Sequence, residues 1–190
     1  MARVPYVDVN TAPTEVGEVF KKIEARGAKV INLYRAMGHS KATLLPFIKL
    51  GNSLLTNAKL EGKLRELAIL RVATILGSRY EWQQHEPLAR ELGVTQLQLD
   101  GLADWVNSQS FDEREKAVLA YVDEMTRSVV VPDAIYERIA KFLGYDEIVE
   151  LTMSIGFWGM VGRFLVALQV DLEEDTGESS GSLLGRSRRA

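Results

Sequence analysis

The stretch from Arg65 to Gly93, RELAILRVATILGSRYEWQQHEPLARELG, constrains the fold more than any other part of the chain. Leu64, Leu67, Ala68, Leu70, Val72 and Ile75 occupy most of the circumference of one helix, so that helix must be largely buried. Gly77 follows as a residue suited to a left-handed C-terminal cap. Ser78-Arg79-Tyr80-Glu81 then matches the S-x-x-E capping box that opens a new helix. A helix stop followed one residue later by a helix start leaves room only for a tight helical hairpin. Residues at similar distances from its turn face each other. Glu66 lies about two and a half turns before Gly77 and His85 about two turns after Ser78, so they are expected at one level, within hydrogen-bonding reach.

The rest of the chain carries the same helical period. Val16, Phe20 and Ile23 mark a helix from Thr14 to about Arg26, and Leu44, Leu45, Ile48, Leu54 and Leu55 mark one from Lys41 to Asn57. Thr95–Gln98 and Ser110–Glu113 read as two further capping boxes, the latter opening a helix to about Arg127. Pro132 and Asp133 open another that Gly144 ends, and a long helix is expected from Asp146 to Leu172. These patterns predict an all-α fold, with residues 1–172 as a single helical domain bearing an N-terminal extension over about 1–40. The segment 173–190, acidic, then rich in Gly and Ser, then in Arg, reads as a flexible polar tail.

Composition excludes several kinds of chemistry. The absence of cysteine removes disulfides, thiol catalysis and Cys-based metal sites, and two histidines are too few for a His-rich site. No metal and no cofactor are expected. The 23 Lys and Arg against 26 Asp and Glu, without a basic stripe, argue against nucleic acid as a partner. The longest uncharged run, Leu151 to Gly162, is shorter than the ~20 residues that span a bilayer. The N-terminus has no apolar targeting segment. A cytoplasmic protein that meets no membrane is the expectation.

The groups left for chemistry are carboxylates, hydroxyls, arginines and imidazoles. Glu81 precedes His85 by four residues on one helical face, where a carboxylate can accept the imidazole N–H, fix its tautomer and raise its basicity. Glu81 is also the third helical residue of the capping box, and both roles stay open. Glu66, in an apolar helix between Arg65 and Arg71, needs an ionic partner if buried, and either arginine fits. Pro87 removes a backbone donor two residues past His85. Gly156, Gly159 and Gly162 flatten one side of the last helix, for close packing or for a pocket floor. His39, near a helix start, reads as a capping or surface residue.

The string R-E-L-A-I-L-R-V-A, followed by Y-E-W-x-x-H-x-x-x-A and G-V-T, resembles the carboxymuconolactone decarboxylase and alkylhydroperoxidase-like superfamily. The C-terminal E-L-T-M-S-I-G-F-W-G-M-V-G-R-F is similar to that family's last core helix, and I-N-L-Y-R-A-M-G-H-S to its longer members. The resemblance implies a helical bundle that assembles as a homo-oligomer, commonly a trimer or hexamer, with sites near subunit contacts. It aligns the hydroperoxidase branch's glutamate on Glu66, its histidine on His85 and its two cysteines on Ser78 and Glu81. Reduction of peroxide by a dithiol needs a thiolate and a resolving thiol, and this chain has neither. The decarboxylase branch instead carries Glu-x-x-x-His, which Glu81 and His85 reproduce.

The resemblance therefore implies cofactor-independent loss of carbon dioxide from a small carboxylated, lactone-like substrate. His85 is expected as the acid, with Glu81 or Glu66 orienting it. Ser78, Tyr80, Trp82, Arg71 and Arg163 are the expected substrate contacts, the two arginines as carboxylate anchors or as structural ion-pair partners. A non-catalytic oligomer that keeps the fold and binds a small ligand is the alternative.

Overall fold

A computed structural model describes residues 1–174, and the described residues fold into α-helices with one short 3-10 turn and no strand. Residues 175–190, within the segment expected to be a flexible tail, lie outside the described residues. The helices are α1 (Thr14–Glu24), α2 (Asn32–Met37), α3 (Lys41–Thr56), α4 (Gly62–Leu76), α5 (Arg79–Glu91), α6 (Gln96–Gly101), α7 (Glu113–Arg127), α8 (Asp133–Ala140) and α9 (Tyr145–Leu168). The 3-10 turn, Leu102–Asp104, extends α6.

The chain divides into two compact units, Ala58–Val166 and a second formed by Met1–Asn57 with the residues from Ala167 on. In the first unit α4 is the central element. Its Leu64, Ala68 and Val72, one turn apart, pack with Val118, Tyr121 and Val122 of α7 and with Ile148, Leu151 and Ile155 of α9. Leu67 and Leu70, on the opposite side, pack with Ala89, Leu99, Leu102, Trp105 and Leu119. A helix buried on all sides forces its polar residues into the interior, which is why Arg65, Glu66 and Arg71 all sit in the core.

The hairpin expected at Gly77 forms, although its second cap does not. Gly77 adopts the left-handed conformation (φ +65°) and its N–H reaches the Thr74 carbonyl at 3.3 Å, while Ser78 N–H reaches that of Ala73 at 2.9 Å. This pair of bonds is the Schellman closure of α4. It uses the very N–H that a capping-box glutamate would accept. Ser78 stands at the N-cap of α5 without a side-chain cap bond, and Glu81 turns elsewhere. The Thr95–Gln98 box forms as expected. The next lies two residues later than expected, between Asp112 and Glu115, because Asp112 supplies the extended N-cap backbone and a stronger acceptor than Ser110.

In the second unit α1 buries Val16, Val19 and Phe20, and α3 buries Leu44, Ile48, Leu54 and Leu55. The short α2 has too few apolar positions to declare a period. The C-terminal segment is held by backbone and side-chain bonds. Arg3 N–H donates to Leu168 O at 2.8 Å, Asp171 N–H to the Tyr6 hydroxyl at 2.8 Å, and Asn32 N–H to Glu173 Oε1 at 2.7 Å. Those anchors explain why α9 ends at Leu168 rather than at Leu172: Gln169 takes a positive φ of 52° and turns the chain toward them. By length and composition alone α9 is apolar enough to cross a bilayer, yet half of its most apolar window is buried inside the protein.

Candidate functional site

The site lies within the larger unit, where the α4–α5 hairpin meets α9. Glu66 (0% exposed) and His85 (2%) lie at one level of the hairpin, as its geometry predicts, with Glu66 Oε2 at 2.8 Å from His85 Nδ1. On the far side of the ring, the Trp158 indole N–H of α9 points at His85 Nε2 at 2.7 Å, and the two rings meet edge to face. An indole nitrogen can only donate, so Nε2 must be the unprotonated nitrogen. The ring proton is then on Nδ1 and is donated to the Glu66 carboxylate. Glu66 Oε1 accepts in turn from Arg65 Nε at 3.2 Å. Of the two arginines expected to balance Glu66, Arg65 does so.

Arg71 does not. Its Nε and Nη2 grip Asp123 at 2.6 and 2.7 Å, and its Nη1 donates to the carbonyls of Leu102 and Ala103 at 2.9 Å each. The guanidinium is committed to joining α4, α7 and the 3-10 turn, so of its two expected roles the structural one is occupied. Arg163 is exposed and folds back along α9 onto the Gly159 carbonyl at 2.8 Å. Tyr80 is buried, and Trp82, partly buried, packs beside the apolar cluster on the Leu67 side of α4 and donates its N–H to Glu86 at 3.0 Å.

Glu81 is the group without a partner. It is 2% exposed, and neither carboxylate oxygen has a hydrogen bond; the buried Ser78 hydroxyl and Gln84 Nε2 have none either. Glu81 therefore does not orient His85, contrary to one expected role, and does not cap α5, contrary to the other. Desolvation pushes its carboxyl up to about 8, against a smaller lowering by the nearby Ser78 hydroxyl. At neutral pH Glu81 carries a proton.

Its position depends on Gly162. A Cβ at Gly162 would stand 2.5 Å from Glu81 Oε2 and 2.8 Å from Leu76 Cδ1, so only glycine leaves the carboxyl its place. Gly159 faces its own Arg163 side chain, and a Cβ on Gly156 would meet nothing closer than Met125 Cε at 3.7 Å. The three glycines thus do not form a common packing surface; one of them makes room for the Glu81 carboxyl. Glu81 faces Gly162 and His85 meets Trp158, so α5 and α9 run antiparallel here, turn against turn. Trp158 is the member that sequence reasoning missed. Its four-residue spacing from Gly162 mirrors that of Glu81 and His85, the one signal that pairs the two helices.

Residues 43–124, from α3 to the end of α7, match the carboxymuconolactone decarboxylase family. The match spans less than half of the chain and makes that stretch similar to the carboxymuconolactone decarboxylase family. The uncharacterized protein YdfG of Bacillus subtilis (strain 168) is 27% identical over 106 residues, 55% of this chain and 72% of that protein. A peroxidase-related protein of Ralstonia eutropha JMP134 with an alkylhydroperoxidase AhpD core shares the fold at a TM-score of 0.79, with 15% identity over 96% of each chain. A variant of the debrominase Bmp8, in complex with 2,3,4-tribromopyrrole, does so at 0.74, with 18% identity over 90% of this chain and 91% of that one. The chain has no cysteine, and the residues Glu66, Ser78, Glu81 and His85 all lie inside the matched stretch, whereas Trp158 and Gly162 lie beyond it.

Proposed function

We propose that this protein catalyses cofactor-independent proton transfer coupled to decarboxylation of a small carboxylated, lactone-like substrate, as a homo-oligomer in the cytoplasm. The observation that carries the reading is Glu81: a buried carboxyl with no hydrogen-bond partner for either oxygen, which desolvation raises to about 8. A carboxylic acid held in a dry setting near neutral pH is the form that general-acid catalysis requires. His85 was the expected acid. Both of its ring nitrogens are already engaged, so the role passes to Glu81, and His85 with Glu66 becomes the rigid support beside it.

In the proposed step the bond between the substrate's carboxylate carbon and its neighbour breaks and carbon dioxide leaves. The electron pair moves into the conjugated system of the unsaturated lactone. Glu81 delivers its proton to the allylic carbon and is left as a carboxylate, which solvent reprotonates. One proton is consumed and one carbon dioxide released per turnover.

The test is release of carbon dioxide from a carboxylated unsaturated lactone, followed together with loss of its conjugated ultraviolet absorbance. Because the acid must be protonated, kcat/KM is flat below about pH 8 and falls tenfold per unit above it. Glu81→Gln removes turnover while leaving the helical circular dichroism unchanged. His85→Ala lowers turnover with the fold intact. An active Glu81→Gln protein refutes the assignment. One observation favours the alternative, a non-catalytic binder: Glu66 and His85 are closed into their own buried network. Saturable binding of the lactone, without release of carbon dioxide, would decide for it.

A further inference from the structure

We propose that Trp158 is the positioning residue of this site: its hydrogen bond to His85 fixes the imidazole in the Nδ1–H form and sets α9 on α5 so that Gly162 lies against the Glu81 carboxyl. The inference concerns the chain's own geometry and stands whether the site decarboxylates a lactone or only binds one.

Three observations carry it. The first is directionality. From Trp158 Nε1 to His85 Nε2 (2.7 Å), from His85 Nδ1 to Glu66 Oε2 (2.8 Å) and from Arg65 Nε to Glu66 Oε1 (3.2 Å), each donor meets an acceptor only if His85 bears its proton on Nδ1. The opposite tautomer would set two N–H groups head to head at Trp158 and leave a lone pair against a carboxylate. Both conflicts would be buried, where unmade bonds cost most.

The second is register. Trp158–His85 is a buried polar bond between α9 and α5, one turn of each helix from the contact of Gly162 with Glu81. A hydrogen bond fixes axial position more tightly than apolar packing does. A slide of α9 by one residue, 1.5 Å in an ideal helix, would bring Val161 or Arg163 toward Glu81 and close the space that Gly162 leaves.

The third is the absence of any other fixing bond at Glu81. Neither of its oxygens is tied to Ser78 or Gln84, so its place is set by the walls around it. One of those walls is Gly162, held by Trp158 one turn away. No basic side chain bonds Glu81 either; Arg65 and Arg71 are turned to Glu66 and to Asp123.

The experiment is nitrogen-15 NMR of the imidazoles, with the protein's own second histidine as reference. His39 Nε2 lies 2.7 Å from the Pro5 carbonyl, which can only accept, so His39 bears its proton on Nε2, opposite to His85. In the wild-type protein at neutral pH, His85 Nδ1 shows the proton-bearing signal and Nε2 that of a hydrogen-bonded lone pair. The Trp158 indole N–H exchanges slowly. In Trp158→Phe the Nε2 signal moves to the position of a free lone pair, while His39 is unchanged. The carboxylic C=O infrared band at pH 7, assigned to Glu81 by its loss in Glu81→Gln, shrinks in Trp158→Phe and in Gly162→Ala. A wild-type His85 protonated on Nε2 overturns the tautomer, and this needs no variant to fold. A folded Trp158→Phe protein with an undiminished Glu81 band overturns the role in positioning.

Discussion

Replacing Glu81 by glutamine should remove one pH-dependent contribution to stability. The folded protein holds the Glu81 proton up to about pH 8, whereas an exposed glutamate releases it near 4.5. A carboxyl raised in the folded state binds more protons there than in the unfolded chain, so the unfolding free energy falls as pH rises through that window. The slope is ~1.4 kcal/mol per pH unit, which amounts to about 5 kcal/mol between pH 4.5 and 8. That is the ceiling, since any local opening that lets water reach the carboxylate relieves part of the cost. Glutamine is uncharged throughout and carries no such slope. Urea unfolding of both proteins at pH 5, 7 and 9 isolates the effect, because every other titrating group is common to the two. The advantage of Glu81→Gln over wild type should widen by roughly 3 to 5 kcal/mol from pH 5 to pH 9. A difference that stays constant within about 0.5 kcal/mol would show that Glu81 is ionised and solvated in the folded protein, and the proposed proton donor would go with it.

Other perturbations probe other parts of the chain. With no cysteine, the protein should turn over no hydroperoxide with a dithiol reductant and should gain no mass from thiol-alkylating reagents; thiol-coupled turnover in a metal-free preparation would contradict this. Val149, Met153 and Met160 form an exposed apolar stripe on α9, and light scattering should find an oligomer at micromolar concentration that Met153→Glu with Met160→Glu dissociates. A wild-type monomer would refute that assembly. Val129, a β-branched residue with a φ of 66° in the exposed α7–α8 loop, should give way to glycine with a gain of roughly 1 kcal/mol in thermal or urea unfolding, and a loss would show the strain to be compensated.

Much of this could be read from the chain because helices announce themselves locally. The apolar circumference of α4, the stop at Gly77 and the distances from the turn place Glu66 opposite His85 before any tertiary contact is known. The role of Glu81 was not readable in the same way. Its sequence signature, three residues after Ser78, is that of a cap, and only the tertiary fact that Ser78 N–H already serves Ala73 releases it. Trp158 and Gly162 were hidden for another reason. A helix apolar on most faces shows no preferred side, so nothing local says which of its residues looks at the hairpin. The end of α9 was misplaced because Gln169 has no intrinsic preference for the left-handed region; bonds to Tyr6 and Asn32 farther along the C-terminal segment impose it.

The Schellman closure at Gly77 has a consequence for what this hairpin can become. One amide, that of Ser78, closes the first helix and is not left for Glu81 to accept, and the Ser78 side chain does not cap the second. Positions 78 and 81 are thereby exempt from structural duty, although they sit at the protected start of a helix, where partial positive charge gathers. Such a place works as a socket. A thiol set there is drawn toward the thiolate, and a carboxyl set there keeps or loses its proton according to how dry the neighbouring helix makes it. The resemblance puts paired cysteines at these two positions in one branch, and this chain puts a serine and a glutamate. Here the carboxyl at 81 has its place because the neighbouring helix carries a glycine, at 162, that stands aside.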